Sequence, residues 1–295
     1  MEDYDRAIQD FNKVIELDPN YFMAYGNRGS AYAFLKDYDR AIQDFEKVNS
    51  LEPNDANSYY NLGIIYHEVK DYSRALQNYD KAIELELDFP IAYNNRGNVY
   101  ADLRDYSRAI QNYNKAIELY PSFAIAYASR GNAYYLLSDY NRAIQDYSKA
   151  IELYPNFAIA YLNRGTIYYD LKDYSRAIED LDKAIALEPN DALAYCNRGL
   201  VYYDLEKYER AIQDFDKAID LNPNYIKAYN GRGNAFYFLK DYNRAIQDYS
   251  KIIELDPNSA LAYGNRGNLY QIIGKTAEAE ADFAKYRELT GQDAP

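Results

Sequence analysis

The sequence predicts an all-α fold, a solenoid of antiparallel helix pairs. Three observations lead to this prediction. A glycine recurs every 34 residues, aromatic residues stand four positions before and three positions after it, and a second amphipathic segment follows. Spacings of three and four residues bring side chains to one face of a helix. Each 34-residue unit is therefore expected to contain two helices.

The first helix of each unit, here called helix A, contains the recurring glycine. The eight glycines are Gly29, Gly63, Gly97, Gly131, Gly165, Gly199, Gly233 and Gly267. A glycine inside a helix costs about 0.5 to 1 kcal/mol relative to alanine. We therefore expect each missing side chain to allow a close approach by the second helix.

The second helix of each unit, helix B, has apolar residues at helical spacing. In the unit that begins at Phe22 these residues are Tyr38, Ala41, Ile42, Phe45 and Val48. An alanine follows every glycine by twelve residues and supplies a small surface opposite it. Proline in segments such as residues 51–54 is expected to end helix B, and the asparagine after it to cap the next helix.

The motif Tyr-x2-Arg-Gly-x2-Tyr of residues 25–32, followed by Ala41, Phe45 and Pro53, resembles the tetratricopeptide repeat signature. The resemblance covers essentially the whole chain and implies a right-handed superhelical solenoid. We predict an N-terminal half repeat with helix B only over residues 1–21, and eight tandem units forming one solenoid over residues 22–293. The units begin at Phe22, Ala56, Pro90, Ala124, Ala158, Ala192, Ile226 and Ala260.

Arginine stands immediately before the glycine in seven units, where the family has leucine. The seven are Arg28, Arg96, Arg130, Arg164, Arg198, Arg232 and Arg266, and the exception is Leu62. Sixteen residues later, six of the seven have an aspartate, whereas Arg96 is followed by Asn112 and Leu62 by Asn78. This correlation favours an ion pair between helices A and B over a ligand site. Replacing Asp180 with alanine should then lower stability without changing ligand affinity.

The family resemblance implies that helix A lines a concave groove in which asparagines bind a peptide backbone. An amide both donates and accepts hydrogen bonds, and tyrosine provides a rigid contact surface. The predicted groove residues are Asn27, Asn61, Asn95, Asn98, Asn132, Asn163, Asn197, Asn234, Asn265, Asn268, Tyr135, Tyr169, Tyr203 and Tyr237. The alternative interpretation is that the asparagines only connect adjacent A helices.

The predicted function is a protein-interaction scaffold that binds an extended peptide or a partner helix in the groove. Glu68, Asp102, Asp170 and Asp204 accompany the tyrosines, so basic or aromatic segments are favoured. Lys227 is the only basic residue among these positions, which makes acidic tails doubtful ligands. The alternative function is end-to-end self-association through the uncovered N-terminal helix.

Several other functions are disfavoured by composition. A net charge of −13 and a pI near 4.7 argue against nucleic-acid and membrane partners. His67 and Cys196 are each the only residue of their kind, so no paired metal ligands and no cofactor are expected. No set of catalytic residues is evident, and we predict that the chain is not an enzyme. Without a visible export signal or an apolar span, the expected location is cytoplasmic.

Overall fold

A computed structural model describes residues 2–292, and the predicted end of the last unit at Asp293 lies outside them. Within this range the chain forms seventeen α-helices and no strand. The single helix α1 (Glu2–Leu17) comes first. The A helices are α2 (Phe22–Phe34), α4 (Ala56–Glu68), α6 (Pro90–Asp102), α8 (Ala124–Leu136), α10 (Ala158–Asp170), α12 (Ala192–Asp204), α14 (Ile226–Phe238) and α16 (Ala260–Ile272). The B helices are α3 (Tyr38–Leu51), α5 (Tyr72–Leu85), α7 (Tyr106–Leu119), α9 (Tyr140–Leu153), α11 (Tyr174–Leu187), α13 (Tyr208–Leu221), α15 (Tyr242–Leu255) and α17 (Thr276–Thr290).

The helices belong to two compact units that divide between Tyr154 and Pro155. Within each unit, every A helix packs against its own B helix, and each B helix packs against the A helix that follows. The fold-class prediction, an all-α helical-repeat solenoid, is confirmed. The A helices begin at the eight positions where the sequence places the starts of the repeats. That all eight repeats form one solenoid stays a prediction.

The recurring glycines lie where helix B approaches helix A most closely. A Cβ atom added to Gly63 would lie 2.6 Å from a ring carbon of Tyr79, which is fully buried. One added to Gly29 would lie 3.1 Å from the Cβ of Asp44. Both distances are shorter than ordinary van der Waals contact, so the predicted reason for the glycines is confirmed.

The turn from helix A to helix B uses a left-handed residue that is almost never glycine. In the first pair, the Lys36 amide donates to the Ala33 carbonyl and the Asp37 amide to the Tyr32 carbonyl, which is the Schellman pattern. Lys36 has a φ of 61°. The residues with this conformation are Lys36, Lys70, Arg104, Ser138, Lys172, Glu206 and Lys240, and Gly274 takes the place in the last pair. At seven of these eight turns, the sequence has no glycine that would have predicted the left-handed residue.

Helix B starts on an aspartate, and helix A does not start on the expected asparagine. The Asp37 carboxylate accepts from the Arg40 amide, and the same cap recurs in six of the eight helix pairs. The prediction that asparagine caps helix A is wrong. Asn54 lies in the turn one residue too early, and Asp55 caps α4 instead. The aromatic Phe89, Phe123 and Phe157 begin α6, α8 and α10 without a side-chain cap.

One of the two natural exceptions to the aspartate cap, at α13 and α17, leads to a stability prediction. Lys207 precedes α13 and provides no cap, although Tyr208 and Arg210 keep the rest of the local motif. We expect Lys207→Asp to raise the midpoint of thermal unfolding by roughly 2 to 4 °C, since an acceptor at this position satisfies a free helix amide. Calorimetry measures the shift. Lys207→Ala is the control, and an equal rise in that variant would attribute the gain to loss of the lysine alone.

The arginines before the glycines form the predicted pairs with helix B. The Arg198 Nε and Nη2 atoms donate to the Asp214 carboxylate at 2.9 and 2.6 Å, and Asp214 is 5% exposed. Burial raises the pKa of Asp214, and the hydrogen bond that the Arg198 guanidinium donates to this carboxylate raises the pKa of Arg198. The same two-pronged contact recurs at Asp44, Asp146, Asp180, Asp248 and Asp282. The interpretation of these arginines as structural is confirmed.

These arginines also reach the B helix of the preceding repeat, which the sequence analysis missed. The Arg198 Nη1 atom donates to the Asp182 Oδ1 on α11 at 2.6 Å. The Arg232 Nη1 atom donates to the Asp216 Oδ1 on α13 at 2.5 Å. The partner stands sixteen residues before the arginine, at Asn12, Asp80, Asn114 or Ser250 in other repeats. The guanidiniums of Arg28, Arg96, Arg130, Arg198, Arg232 and Arg266 therefore each connect three helices.

Candidate functional site

A pocket that gathers predicted groove residues lies between α14 and α16. It has a volume of about 490 Å³. Asn234 and Tyr237 come from α14, and Asn265 and Asn268 from α16. The apolar part of its wall includes Phe238, Leu269 and Ile272. Amides and aromatic or aliphatic surfaces of two successive A helices thus face one cavity.

A second pocket lies between α2 and α4 and has a volume of about 260 Å³. Asn27 and Asn61 both line it, which places two further predicted residues on one surface. Met23, Ser30 and Ser58 complete its wall together with other α2, α3 and α4 residues. This pocket is more polar in its side chains than the one at α14 and α16.

Asparagines that follow the glycine are held by a tyrosine of their own helix B. The Tyr113 hydroxyl donates to the Asn98 Oδ1 at 2.9 Å, and the Tyr249 hydroxyl to the Asn234 Oδ1 at 2.6 Å. Asn132 accepts from Tyr147 in the same way. In the last repeat Phe283 occupies the tyrosine position, so no such donor reaches Asn268. Among the described residues, the Asn268 amide has no hydrogen-bond partner.

Tyr79 is the counterpart of these tyrosines in a repeat without the asparagine. Ile64 stands in place of the acceptor, and the buried Tyr79 hydroxyl has no partner within residues 2–292. We expect Tyr79→Phe to stabilise the protein by about 1 kcal/mol, because it removes an unsatisfied buried group. Urea unfolding provides the measurement. Tyr113→Phe is the matched control and should destabilise by about 1 kcal/mol, since it removes a bond that is made. Equal effects of the two changes would contradict this explanation.

Two asparagines that precede the glycine connect neighbouring A helices. The Asn95 Nδ2 donates to the Tyr60 hydroxyl of α4 at 3.0 Å. Asn197 is 6% exposed, donates to the Thr166 hydroxyl at 3.0 Å and lies 3.5 Å from the Lys227 Nζ. These contacts fit the interpretation that the asparagines join helices. Asn27 is exposed, while Asn163 on α10 is half-buried.

The predicted groove tyrosines are half-buried, except Tyr237. Tyr135, Tyr169, Tyr203 and Tyr237 each pack against the tyrosine that begins the next helix B, at ring separations of 5.7 to 6.3 Å. Burial, together with the nearby Asp204 carboxylate, raises the pKa of Tyr169. Tyr237 is 43% exposed and lies edge-on to Phe238, which is 51% exposed. The most accessible aromatic surface of the set is thus at the α14 pocket.

A row of exposed aliphatic residues was missed by the sequence analysis. They occupy the second position of the A helices, four residues before the first asparagine position, and therefore share its face. The row consists of Met23, Ile91, Ile125, Ile159, Leu193 and Leu261. The sequence contained the signal, since six of the eight A helices have an apolar residue at this position and an exposed helix position does not require one.

His67 and Cys196 have structural surroundings. The His67 Nε2 lies 2.7 Å from the Asp102 Oδ2, and this contact links α4 to α6. Cys196 is fully buried, and burial raises the pKa of its thiol. In the part of the chain that the structure describes, no three side chains of His, Cys, Asp or Glu type are grouped as metal ligands. In the same part, every helix is too short or too polar to traverse a bilayer.

Family models match most of the repeats. A model of the tetratricopeptide repeat matches residues 56–89, 90–123, 124–157, 192–225 and 226–259. The chain belongs to the tetratricopeptide repeat family. A second tetratricopeptide repeat model matches residues 11–43, 147–179 and 249–281, and a TPR repeat model matches residues 34–70 and 165–206. No catalytic family is among these matches, and a role in protein interaction in general follows from the membership.

Solved tetratricopeptide repeat structures resemble the chain, whereas no curated protein matches it. A structure of MamA is 30% identical, covers 55% of this chain and 94% of its own, and has a TM-score of 0.53. YrrB, described as a TPR protein with an unusual peptide-binding site, is 26% identical over 62% of this chain and 95% of its own, with a TM-score of 0.53. PilF of Pseudomonas aeruginosa is 23% identical over 69% of this chain and 93% of its own, with a TM-score of 0.62, and supports the fold alone.

Proposed function

We propose that this tetratricopeptide repeat protein binds an extended peptide or a partner helix on the exposed face of its A helices. The observation that carries the proposal is the pocket between α14 and α16. There Asn265 and Asn268 offer amides, while Tyr237, Phe238 and Ile272 offer exposed apolar surface. Amides can pair with the backbone of a ligand, and the apolar residues can hold one of its side chains.

The preferred ligand is a basic or aromatic-rich segment. The chain carries a net charge of −13, and Asp204 and Asp170 are exposed on the A helices that precede this pocket. An acidic surface attracts a basic segment and increases the rate of its association. The peptide-binding site named for YrrB adds support, since that structure shares the repeat at 26% identity.

Selection from a random peptide library on the full chain, followed by calorimetric titration of the selected peptides, tests this proposal. We expect basic or aromatic-rich peptides whose affinity falls about tenfold in the double variant Asn265→Ala with Asn268→Ala, because the ligand backbone loses amide partners. Asn243→Ala with Asn258→Ala changes two exposed asparagines outside the pocket and is the control. Equal affinities for the wild type and the pocket variant would reject the site.

End-to-end self-association is the second candidate function. Its support is the apolar surface of α1, where Leu17 is 76% and Val14 is 36% exposed. Sedimentation velocity over a wide concentration range tests it, and a single monomeric species at high concentration would reject it. A cytoplasmic location, the lack of enzymatic activity and the lack of nucleic-acid or membrane partners stay predictions.

A further inference from the structure

Gly26 is a glycine inside α2 for which helix packing gives no reason. Outside α2, a Cβ atom added to Gly26 would meet only the Val48 Cγ2 atom, at an ordinary contact distance of 3.8 Å. In contrast, a Cβ atom added to Gly29 would lie 3.1 Å from the Cβ of Asp44, which is too close. Alanine is more favourable than glycine in a helix wherever its methyl group fits. The missing side chain at position 26 therefore needs a different explanation.

The missing side chain of Gly26 opens the pocket between α2 and α4. Gly26 is one of the residues that line this pocket, whose volume is about 260 Å³. Phe45 and Val48 form its apolar floor, and they are only 2% and 1% exposed. In α4 and α6 the position of Gly26 is occupied by Tyr60 and Asn94, which are much larger. A side chain of that size at position 26 would take up the space of the pocket.

Three side-chain amides line the same pocket and are available to a ligand. They belong to Asn27 of α2 and to Asn57 and Asn61 of α4. Within residues 2–292, none of these three side chains has a hydrogen-bond partner. Asn95, at the same repeat position as Asn27 and Asn61, instead donates to the Tyr60 hydroxyl. The pocket thus combines a buried apolar floor with amides that can both donate and accept hydrogen bonds.

The charge of the lining residues favours a neutral ligand. Among the described residues that line the pocket, only Asp55 is charged. Its carboxylate already accepts from the Asn57 backbone amide as the cap of α4. An anionic group would therefore lose water without meeting a positive charge, and a cationic group would meet a carboxylate that is already engaged. An uncharged apolar group can cover the floor without such a cost.

We propose that the pocket between α2 and α4 binds one neutral aliphatic side chain of an extended peptide, with the flanking peptide groups on its amides. The inference rests on the proposed function only in taking the ligand to be a peptide, because the two pockets lie in different compact units. An extended backbone presents a peptide group on each side of every side chain, so floor and amides are engaged together. The volume is below that of pockets for drug-sized ligands and suits one side chain.

The methyl group of Met23 is a reporter for this pocket. Met23 lines the pocket, and the chain contains two methionines in all, so methionine labelled with ¹³C in its methyl group gives a simple spectrum. The probe is N-acetyl-leucine N-methylamide, one aliphatic side chain between two peptide groups. We expect it to shift the Met23 signal with a dissociation constant on the order of 1 mM. The aspartate and lysine analogues should bind at least about tenfold more weakly. No shift with the leucine probe, or equal binding of the three probes, would overturn the proposal.

Two substitutions of Gly26 separate a binding role from a packing role. We expect Gly26→Ala to raise the midpoint of thermal unfolding by roughly 1 to 3 °C, because alanine favours the helix and its methyl group meets no close neighbour. Gly26→Leu should remain folded and lose the shift of the Met23 signal, because its side chain fills the pocket. A lower midpoint for Gly26→Ala would show that packing requires the glycine, and an undiminished shift in Gly26→Leu would show that the probe binds elsewhere. Either result would contradict the proposal.

The amides are tested by a pair of matched double variants. Asn27→Ala with Asn61→Ala should weaken binding of the leucine probe about tenfold, because its peptide groups lose their partners. Asn20→Ala with Asn54→Ala changes two exposed asparagines in the turns before α2 and α4, outside the lining, and is the control. Equal losses in the two double variants would reject the assigned contacts. None of these changes affects the pocket between α14 and α16, so peptides that bind there should keep their affinity. The failure of one site is thus distinguished from the failure of the other.

Discussion

Asp214→Ala is expected to lower the free energy of unfolding by about 3 to 5 kcal/mol, the cost of leaving a buried charge without its partner. The Arg198 side chain is 19% exposed and that of Asp214 is 7% exposed, so water can replace little of the lost carboxylate. Burial opposes the charge on both groups, and their contact offsets it, with Asp182 as a second, more exposed partner of Arg198. Urea unfolding followed by circular dichroism measures the loss.

The control for Asp214→Ala is a change at the second partner of the same arginine. Asp182 is 52% exposed, and exposed pairs contribute little, so that Asp182→Ala should cost less than about 1 kcal/mol. Ligand affinity at a temperature where both variants are folded should match the wild type. Equal destabilisation by the two changes would show that burial does not determine the strength of these contacts.

Phe215→Ala is expected to destabilise the protein by about 3 to 5 kcal/mol, because it leaves a cavity where three helices meet. Phe215 on α13 is fully buried. Its ring lies against Gly199 of the same repeat and against Gly231 of the next one, where an added Cβ would overlap it. The change therefore removes contacts within a repeat and between repeats. Chemical unfolding with fluorescence and circular dichroism as paired probes measures the loss.

Gly231→Ala tests the cause of this loss in a double-mutant cycle. In the wild type the new methyl group would overlap the Phe215 ring, which should cost about 1 to 3 kcal/mol. In the Phe215→Ala background the overlap is gone and alanine favours the helix, so the same change should stabilise by up to about 1 kcal/mol. If Gly231→Ala destabilises both backgrounds equally, the Phe215 ring is not the reason why position 231 excludes a side chain.

The sequence predicted the helices and their close contacts because these depend on short, repeated spacings. The glycine of helix A and the alanine of helix B recur in all eight repeats, and the Arg28–Asp44 type of pair follows from two positions that vary together. The second contact of six of these guanidiniums was missed because it is made with the preceding repeat. A signal existed, since Asn12 and Asp182 stand sixteen residues before an arginine, whereas Glu46 stands sixteen before Leu62.

The candidate site was less predictable than the fold. The position of an asparagine does not reveal whether another side chain already occupies its amide. Asn98 and Asn234 accept from tyrosines of helix B, and Asn95 donates to Tyr60. Within residues 2–292, Asn268 has no partner, because Phe283 lacks a hydroxyl. Helix caps after proline were also misjudged, since the number of residues in the turn decides which side chain reaches the first free amide.

Leu62 interrupts the series of guanidinium contacts. Its methyl groups cannot bond to Glu46 on α3 or Asn78 on α5, so no guanidinium of α4 joins these B helices. Apolar packing, the contact of Ser58 with Asn49 and the contact of Arg74 with the Tyr66 hydroxyl join them instead. Apolar packing tolerates small sliding motions better than directional ionic contacts do. The junction between α3 and α4 consequently depends on apolar burial more than the junctions at which one guanidinium joins three helices.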